Sequence, residues 1–308
     1  MPPPDPLPDV LVDRRKLKRG LALWRALAVL AALFALFLLT REAAEEALPG
    51  FGSHVARVEI TGSIGTDRRL LEALDRLGED SRVAAVLLAI DSPGGAVAGG
   101  EMLHAAIARL AERKPVVALL GGTAASAGYM IALPAHRILA REGTLTGSIG
   151  VILQTAEASE LLRMLGIRAE AITSGRLKGQ PSPFAPLTEE ARAALRAVVE
   201  DLHAQFVAMV ATARRLPEER VRALADGGVL TGRQAVAAGL VDAIGGEREA
   251  RAWLAAERGV AASLPVRDAT PRRRAEEWLG ASLGRMLKSL VAEWLGVDLT
   301  VGVWQPPR

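Results

Sequence analysis

Apolar and polar positions divide the chain into three stretches of different character. Residues 21–40 read LALWRALAVLAALFALFLLT, an almost unbroken apolar run. At about 1.5 Å per residue, a helix of this length spans roughly 30 Å, the thickness of a bilayer's hydrocarbon core. Beyond it, short apolar runs alternate with helical spacing. Residues 55–60 alternate like a strand, 67–77 carry helical spacing, 83–90 (VAAVLLAI) are continuously apolar, 97–112 are helical again, and 116–120 form a second apolar run. Short continuous runs of this kind are strands buried on both faces, and strands separated by helices build parallel βαβ units. Further strands are expected at 137–140, 150–153 and 168–173. A long helix is expected from the N-cap Thr188, followed by Glu189 and Glu190, to about Arg214. In the third stretch, 272–296, Trp278, Leu283, Leu287, Leu290 and Trp294 recur at helical spacing. They predict an amphipathic helix that packs on its own domain, on a neighbour or on a membrane.

Charge gives the apolar run a direction. The net charge is +3, and residues 1–25 alone hold six basic side chains against three acids, so the remainder is neutral overall. That leaves no electrostatic case for nucleic acid as a partner. Arg14, Arg15, Lys16, Lys18 and Arg19 precede the run, whereas Glu42, Glu45 and Glu46 follow it. The positive-inside rule then places the N-terminus in the cytoplasm and everything after Thr40 outside it. Arg25, one turn inside the basic end beside Trp24, can snorkel to the interface. A cleaved signal peptide is the competing reading, since Ala43, Ala44 and Ala47 follow the run. They are mixed with glutamates, and the region before the run is long. The expected plan is a tail at 1–20, a transmembrane anchor at 21–40, a linker at 41–54, an α/β domain at 55–265 and a C-terminal helix and tail at 266–308.

Cysteine is absent, which excludes a thiol nucleophile, disulfides and thiolate metal sites. The four histidines, His54, His104, His136 and His203, show no ligand-like spacing. No metal and no cofactor are expected.

Three small-residue turns could carry chemistry. In Asp91-Ser92-Pro93-Gly94-Gly95, after an apolar strand, glycines let backbone N–H groups approach a ligand as an oxyanion hole requires. In Ala125-Ser126-Ala127-Gly128-Tyr129, a serine at a strand-to-helix turn can expose its Oγ; the plainer reading is a helix cap. In Ser174-Gly175-Arg176-Leu177-Lys178, the lysine is either a solvated surface charge or a general base. A lysine withdrawn into an apolar cleft deprotonates more easily and can then take the proton of a serine hydroxyl.

Taken together, these segments resemble the signal peptide peptidase A family of serine–lysine proteases. The likeness runs from about residue 55 to 246 and adds Thr144-Leu145-Thr146-Gly147-Ser148-Ile149-Gly150-Val151, Leu230-Thr231-Gly232-Arg233-Gln234-Ala235 and Gly239-Leu240-Val241-Asp242. It implies a ClpP/crotonase-like repeated β-β-α fold, with Ser126 as nucleophile, Lys178 as general base and Ser148 hydrogen-bonded to the lysine. It also implies oxyanion donors near Gly94 and at Ala127. Hydrophobic peptides, chiefly signal-peptide remnants left in the bilayer, are the implied substrates. The implied assembly is a homo-oligomeric ring in which neighbouring subunits supply Ser and Lys, on the cell (inner) membrane with the protease domain extracytoplasmic. Two departures stand out: Ala127 replaces a more usual Gly, and Gly179 replaces an acidic or hydroxyl residue.

A ClpP-like membrane protease acting on stomatin-type membrane proteins would use the same dyad. A histidine triad has only His104 and His136 near suitable loops. A non-catalytic crotonase-like membrane scaffold would not need Ser126, Ser148 and Lys178 together. The orientation is testable: alkaline phosphatase fused to the C-terminus is expected to be active, because that reporter works only outside the cytoplasm. Inactive fusions after residue 60, with an active cytoplasmic reporter at the same points, would reverse the topology.

Overall fold

The apolar run at 83–90 lies between two layers of helix. In the computed structural model, which describes residues 52–271 together with 25, 29 and 30, the run is the body of β2 (Val83–Ser92). β2 pairs in parallel with β1 (His54–Thr61) on one side and β3 (Val116–Ala125) on the other. Alternate residues serve opposite faces. Val86, Leu88 and Ile90 pack towards α1 (Arg68–Glu79), α2 (Val97–Arg113) and α5 (Glu189–Arg214). Ala85 and Leu87 pack with Val117, Leu139 and the Ala250–Leu254 side of α8 (Glu247–Arg258). Burial on both faces is the physical reason for an apolar run without alternation.

The remaining strands extend this sheet in the order β6 (Val229–Thr231), β5 (Leu145–Gly147), β3, β2, β1, β8 (Val266–Asp268). β4 (Arg137–Ala140) joins β3 and β7 (Ala243–Ile244). Every pairing is parallel except β5 with β6. The short helices are α3 (Ala127–Met130), α4 (Ser159–Met164), α6 (Glu218–Leu224) and α7 (Gly232–Ala238).

β3 changes partner along its length. Val117–Leu120 pair with β4, whereas Thr123–Ala125 pair with β5. Between them the register against β2 slips: Ile90 faces Leu120, but Ser92 faces Ala124. β3 thus accommodates two extra residues, which bend and twist it locally. The Asp91 carboxylate sits in the gap and accepts the Thr123 N–H at 3.0 Å. Gly121 leaves room for it: a Cβ there would lie 3.1 Å from the Asp91 side chain, a tight contact.

Several expectations change. No strand forms at 150–153 or 168–173; these residues are almost all exposed, and no neighbouring strand takes up their N–H and C=O groups. α4 lies between them instead. The sheet also runs past residue 265, because β8 pairs with Val55–Arg57 of β1. The long helix starts as expected, with Thr188 Oγ1 accepting the Ala191 N–H at 3.1 Å. The expected anchor lies outside the described residues apart from Arg25, Val29 and Leu30, and so does the amphipathic stretch at 272–296. Among the described residues no helix is long and apolar enough to cross a membrane.

A partly buried ion pair fastens α5 to the sheet. Arg214 Nη2 donates to Asp242 Oδ1 at 2.6 Å and Arg214 Nε to the Gly239 carbonyl at 3.0 Å. The other Asp242 oxygen accepts the Ile138 N–H of β4 at 2.6 Å. The Gly239-Leu240-Val241-Asp242 segment therefore has a structural task. Removing one member of such a pair leaves a buried charge alone, so Asp242→Ala is expected to cost about 3–5 kcal/mol. Urea denaturation reads this as a lower midpoint; an unchanged midpoint would show that the pin carries no stability.

Candidate active site

Ser126 begins where β3 ends. Ala125 pairs with Gly147 of β5, and the next N–H, that of Ser126, donates to the Gly147 carbonyl at 2.9 Å. Ser126 then takes φ 53° and ψ −122°. Side-chain-bearing residues rarely adopt positive φ, and holding one there costs on the order of 1–3 kcal/mol. The surroundings over-determine the turn. Thr146 Oγ1, fully buried, donates to the Ala124 carbonyl at 2.7 Å, and Thr144 Oγ1 donates to Gly121 O at 2.8 Å. The Ser126 hydroxyl caps no helix amide and makes no hydrogen bond to a described residue. A capping role therefore does not explain this serine.

The Asp91–Gly95 loop presses against it. Gly94 has φ 115°, and a Cβ there would come within 2.8 Å of Ser126 Cβ and 3.2 Å of its Oγ. Ile64 clamps the loop: its N–H donates to Gly94 O at 2.8 Å, and its carbonyl accepts the Ala96 N–H at 2.9 Å. The Gly94 N–H, the expected oxyanion donor, is engaged, donating to Ser92 Oγ at 3.1 Å. The Gly95 and Ala127 N–H groups make no hydrogen bond to a described residue. The Ala127 methyl does not narrow the cleft. It is 3% exposed and turned towards α2, where a Cβ at Gly100 would sit 3.2 Å from it.

Ser148 follows Gly147 as Ser126 follows Ala125, so the two serines leave the ends of paired strands side by side. Ser148 also has positive φ, 49°, and its Oγ donates to the Gly227 carbonyl at 3.2 Å rather than to a lysine. Lys178 lies on an exposed turn, its N–H donating to Gly175 O at 3.0 Å. Its ammonium makes no hydrogen bond or ion pair with a described residue, whereas strand pairing sets Ser126 and Ser148 beside each other. Gly179, the second departure, has φ 88°, a conformation that favours glycine after the lysine.

The rest of the recognised segments hold this arrangement up. Thr231 and Gln234 form a capping box at the start of α7, and Gly232 lets that helix approach closely, since a Cβ would collide with the Arg141 carbonyl. β6, just before it, pairs with β5 beneath Ser148. His104 and His136 line a groove of about 680 Å³ between α2 and α5 that does not include Ser126. Burial lowers the pKa of both imidazoles, and Arg258 adds to the effect at His136. Among the described residues no group of three His, Asp or Glu is placed to hold a metal ion. The Ser92 hydroxyl and the Asp91 carboxylate, which hold this loop and β3 in place, carried no sequence signal of their own; both lie inside a segment singled out for its glycines.

A serine displayed at the end of a parallel strand, beside a glycine turn and unengaged amides, is the layout of a serine hydrolase. Residues 108–261 match peptidase family S49, and the chain belongs to that family. A putative protease of Synechocystis is 40% identical over 208 residues, which cover 67% of this chain and 75% of that protein. A putative signal peptide peptidase SppA of Enterococcus faecium is 34% identical over 237 residues, 76% of this chain and 66% of that protein. Among solved structures, a mutant of a membrane-bound stomatin-specific protease superposes with a TM-score of 0.48 at 18% identity, covering 72% of this chain and 99% of that chain.

The contact between Gly94 and Ser126 yields a direct test. Gly94→Ala adds a methyl against the serine at a backbone angle alanine resists, and labelling of Ser126 by a fluorophosphonate is expected to slow by roughly 100-fold. Labelling within threefold of the unmodified chain would show that the loop is free to withdraw.

Proposed function

We propose that this chain is a membrane-anchored serine endopeptidase that degrades hydrophobic peptides, signal-peptide remnants among them, through a dyad of Ser126 and Lys178 on a ClpP/crotonase-like fold. The observation that carries the reading is the turn at Ser126: a serine at positive φ whose hydroxyl bonds to no described residue, followed by the unengaged amide of Ala127 and abutted by the Gly94–Gly95 turn, where the Gly95 amide is unengaged. As Ser126 Oγ attacks the scissile carbonyl carbon, its proton passes to the neutral Lys178 amine. The carbonyl oxygen becomes an oxyanion held by the two backbone N–H groups. Collapse breaks the C–N bond, and the Lys178 ammonium returns the proton to the departing amine. Water, deprotonated by the same lysine, then releases the acyl group as a carboxylate. Ser148 orients the lysine.

The position of Lys178 supports an assembly. It lies among residues 151–187, where Ile152 is 77% exposed, Met164 84% and Ile172 98%. Such an apolar stretch is covered most economically by a second copy. In a ring of copies, Lys178 of one subunit reaches Ser126 of the next. Anchoring by residues 21–40 keeps the site at the extracytoplasmic face of the cell membrane, where Leu- and Ala-rich peptides leave the bilayer.

Purified full-length protein in detergent tests this. Ser126→Ala is expected to lower peptide hydrolysis by roughly 10⁴-fold or more. Lys178→Arg is expected to be equally inert, since a guanidinium does not give up its proton. Mixing Ser126→Ala with Lys178→Ala subunits should restore part of the activity. An active Lys178→Arg enzyme would discard the lysine as base, and verified mixed oligomers without activity would discard the shared site.

A further inference from the structure

The amide of Gly94, the loop residue that abuts Ser126, is already taken by a hydroxyl that no catalytic step uses. We propose that Ser92 is a positioning residue of the oxyanion site: its hydroxyl captures the Gly94 N–H and so leaves Gly95 to present the donor beside Ser126. The proposal rests on Ser126 being the nucleophile.

Ser92 is the last residue of β2 and wholly buried. A buried hydroxyl requires partners, and those of Ser92 both belong to Gly94: the oxygen accepts the Gly94 N–H at 3.1 Å and stands 3.4 Å from the Gly94 carbonyl as donor. The neighbouring polar groups are also committed. Gly94 O accepts from Ile64, and the Ala96 N–H donates to Ile64. Pro93 has no N–H to offer. Of the amides between residues 93 and 96, only that of Gly95 is unengaged.

Restraint matters here because Gly94 and Gly95 are the two softest backbone units in succession. Ile64 fixes the loop from outside through Gly94 O and the Ala96 N–H, but the peptide entering Gly94 is held only by Ser92. Without the hydroxyl, the Gly94 N–H is a buried donor without an acceptor, and relieving that shifts the Gly94 turn against the Ile64 bond at Gly94 O, which shares its rigid peptide plane with the Gly95 N–H. Ser92 also touches the segment bearing the other donor. A Cβ on Gly128 would lie 2.7 Å from the Ser92 carbonyl oxygen and 3.3 Å from its Cβ, so α3 packs directly on this residue. One buried serine therefore touches both the Gly94 turn and the helix that opens with the Ala127 amide, and with Ile64 it holds the first against the second.

The test compares Ser92→Ala and Ser92→Cys with the full-length protein in detergent, using a fluorogenic Leu- and Ala-rich peptide. A peptide aldehyde, whose adduct with a serine carries the oxyanion, and the matching peptide alcohol, which forms no adduct, serve as inhibitors. Ser92→Ala is expected to lower kcat by roughly 10- to 100-fold, less than the full loss of one donor. KM should stay within twofold, with aldehyde affinity falling in step with kcat/KM and alcohol affinity unchanged. Ser92→Cys, whose thiol is a weaker acceptor, should fall between, and it carries the test alone where the alanine variant does not fold. The proposal is overturned if folded Ser92→Ala keeps kcat and aldehyde affinity within twofold. It is equally overturned if aldehyde and alcohol affinities fall together with the thermal midpoint, the signature of a general loosening. If Ser126→Ala retains hydrolysis, the nucleophile assignment itself fails; if Ser126→Ala is inert while Ser92→Ala is indifferent, only the role of Ser92 is lost.

Discussion

β3 changes partner halfway along its length, and the position of Ser126 follows from that change. The first half is an ordinary buried strand between β2 and β4. The second half is displaced by two residues, bridged by the Asp91 carboxylate, and paired with β5. Because β5 ends where β3 ends, Ser126 and Ser148 emerge together. The threonines of β5 and the residue before it bind the carbonyls of the displaced half of β3, and β6 with its capping box holds β5 in turn. Remove the displacement and the same sequence would carry Ser126 on as another strand residue, its side chain committed to one face of the sheet.

This division explains what was legible in the sequence. β1, β2, the first half of β3, β4, α1, α2 and α5 follow from hydrophobic periodicity, because each buries a face set by its own pattern. β5 and β6, of three residues each, carry no readable period. They are specified by Thr144, Thr146 and the Thr231–Gln234 box, and so were recognised as motifs rather than as strands. The apolar residues at 150–153 and 168–173 misled for the complementary reason: their pattern asks for a strand partner, and none of the described residues pairs with them. Ser126 was legible as a residue of a strand-to-helix turn, and that is where it lies. Which glycine amide of this loop stays unengaged was not legible, since the Gly94 N–H is taken by one buried hydroxyl two residues upstream.

The two halves of the proposed dyad sit in contrasting surroundings. Ser126 is braced by strand pairing, buried threonines and a clamped glycine loop. Lys178 stands on an exposed turn among exposed apolar side chains. Under the proposed dyad, the site would be complete only where a neighbouring copy brings its lysine to the braced serine, and hydrolysis would be confined to that assembled state.

The positive φ at Ser126 also limits which hydroxyl-bearing residues the position can hold. Threonine offers the same hydroxyl and serves as a nucleophile in other enzymes. Its branched Cβ, however, is poorly tolerated at positive φ, where even an unbranched side chain is strained. The choice of serine over threonine is thus made by the turn before chemistry enters. A residue swap that is conservative by functional group would be radical here by conformation.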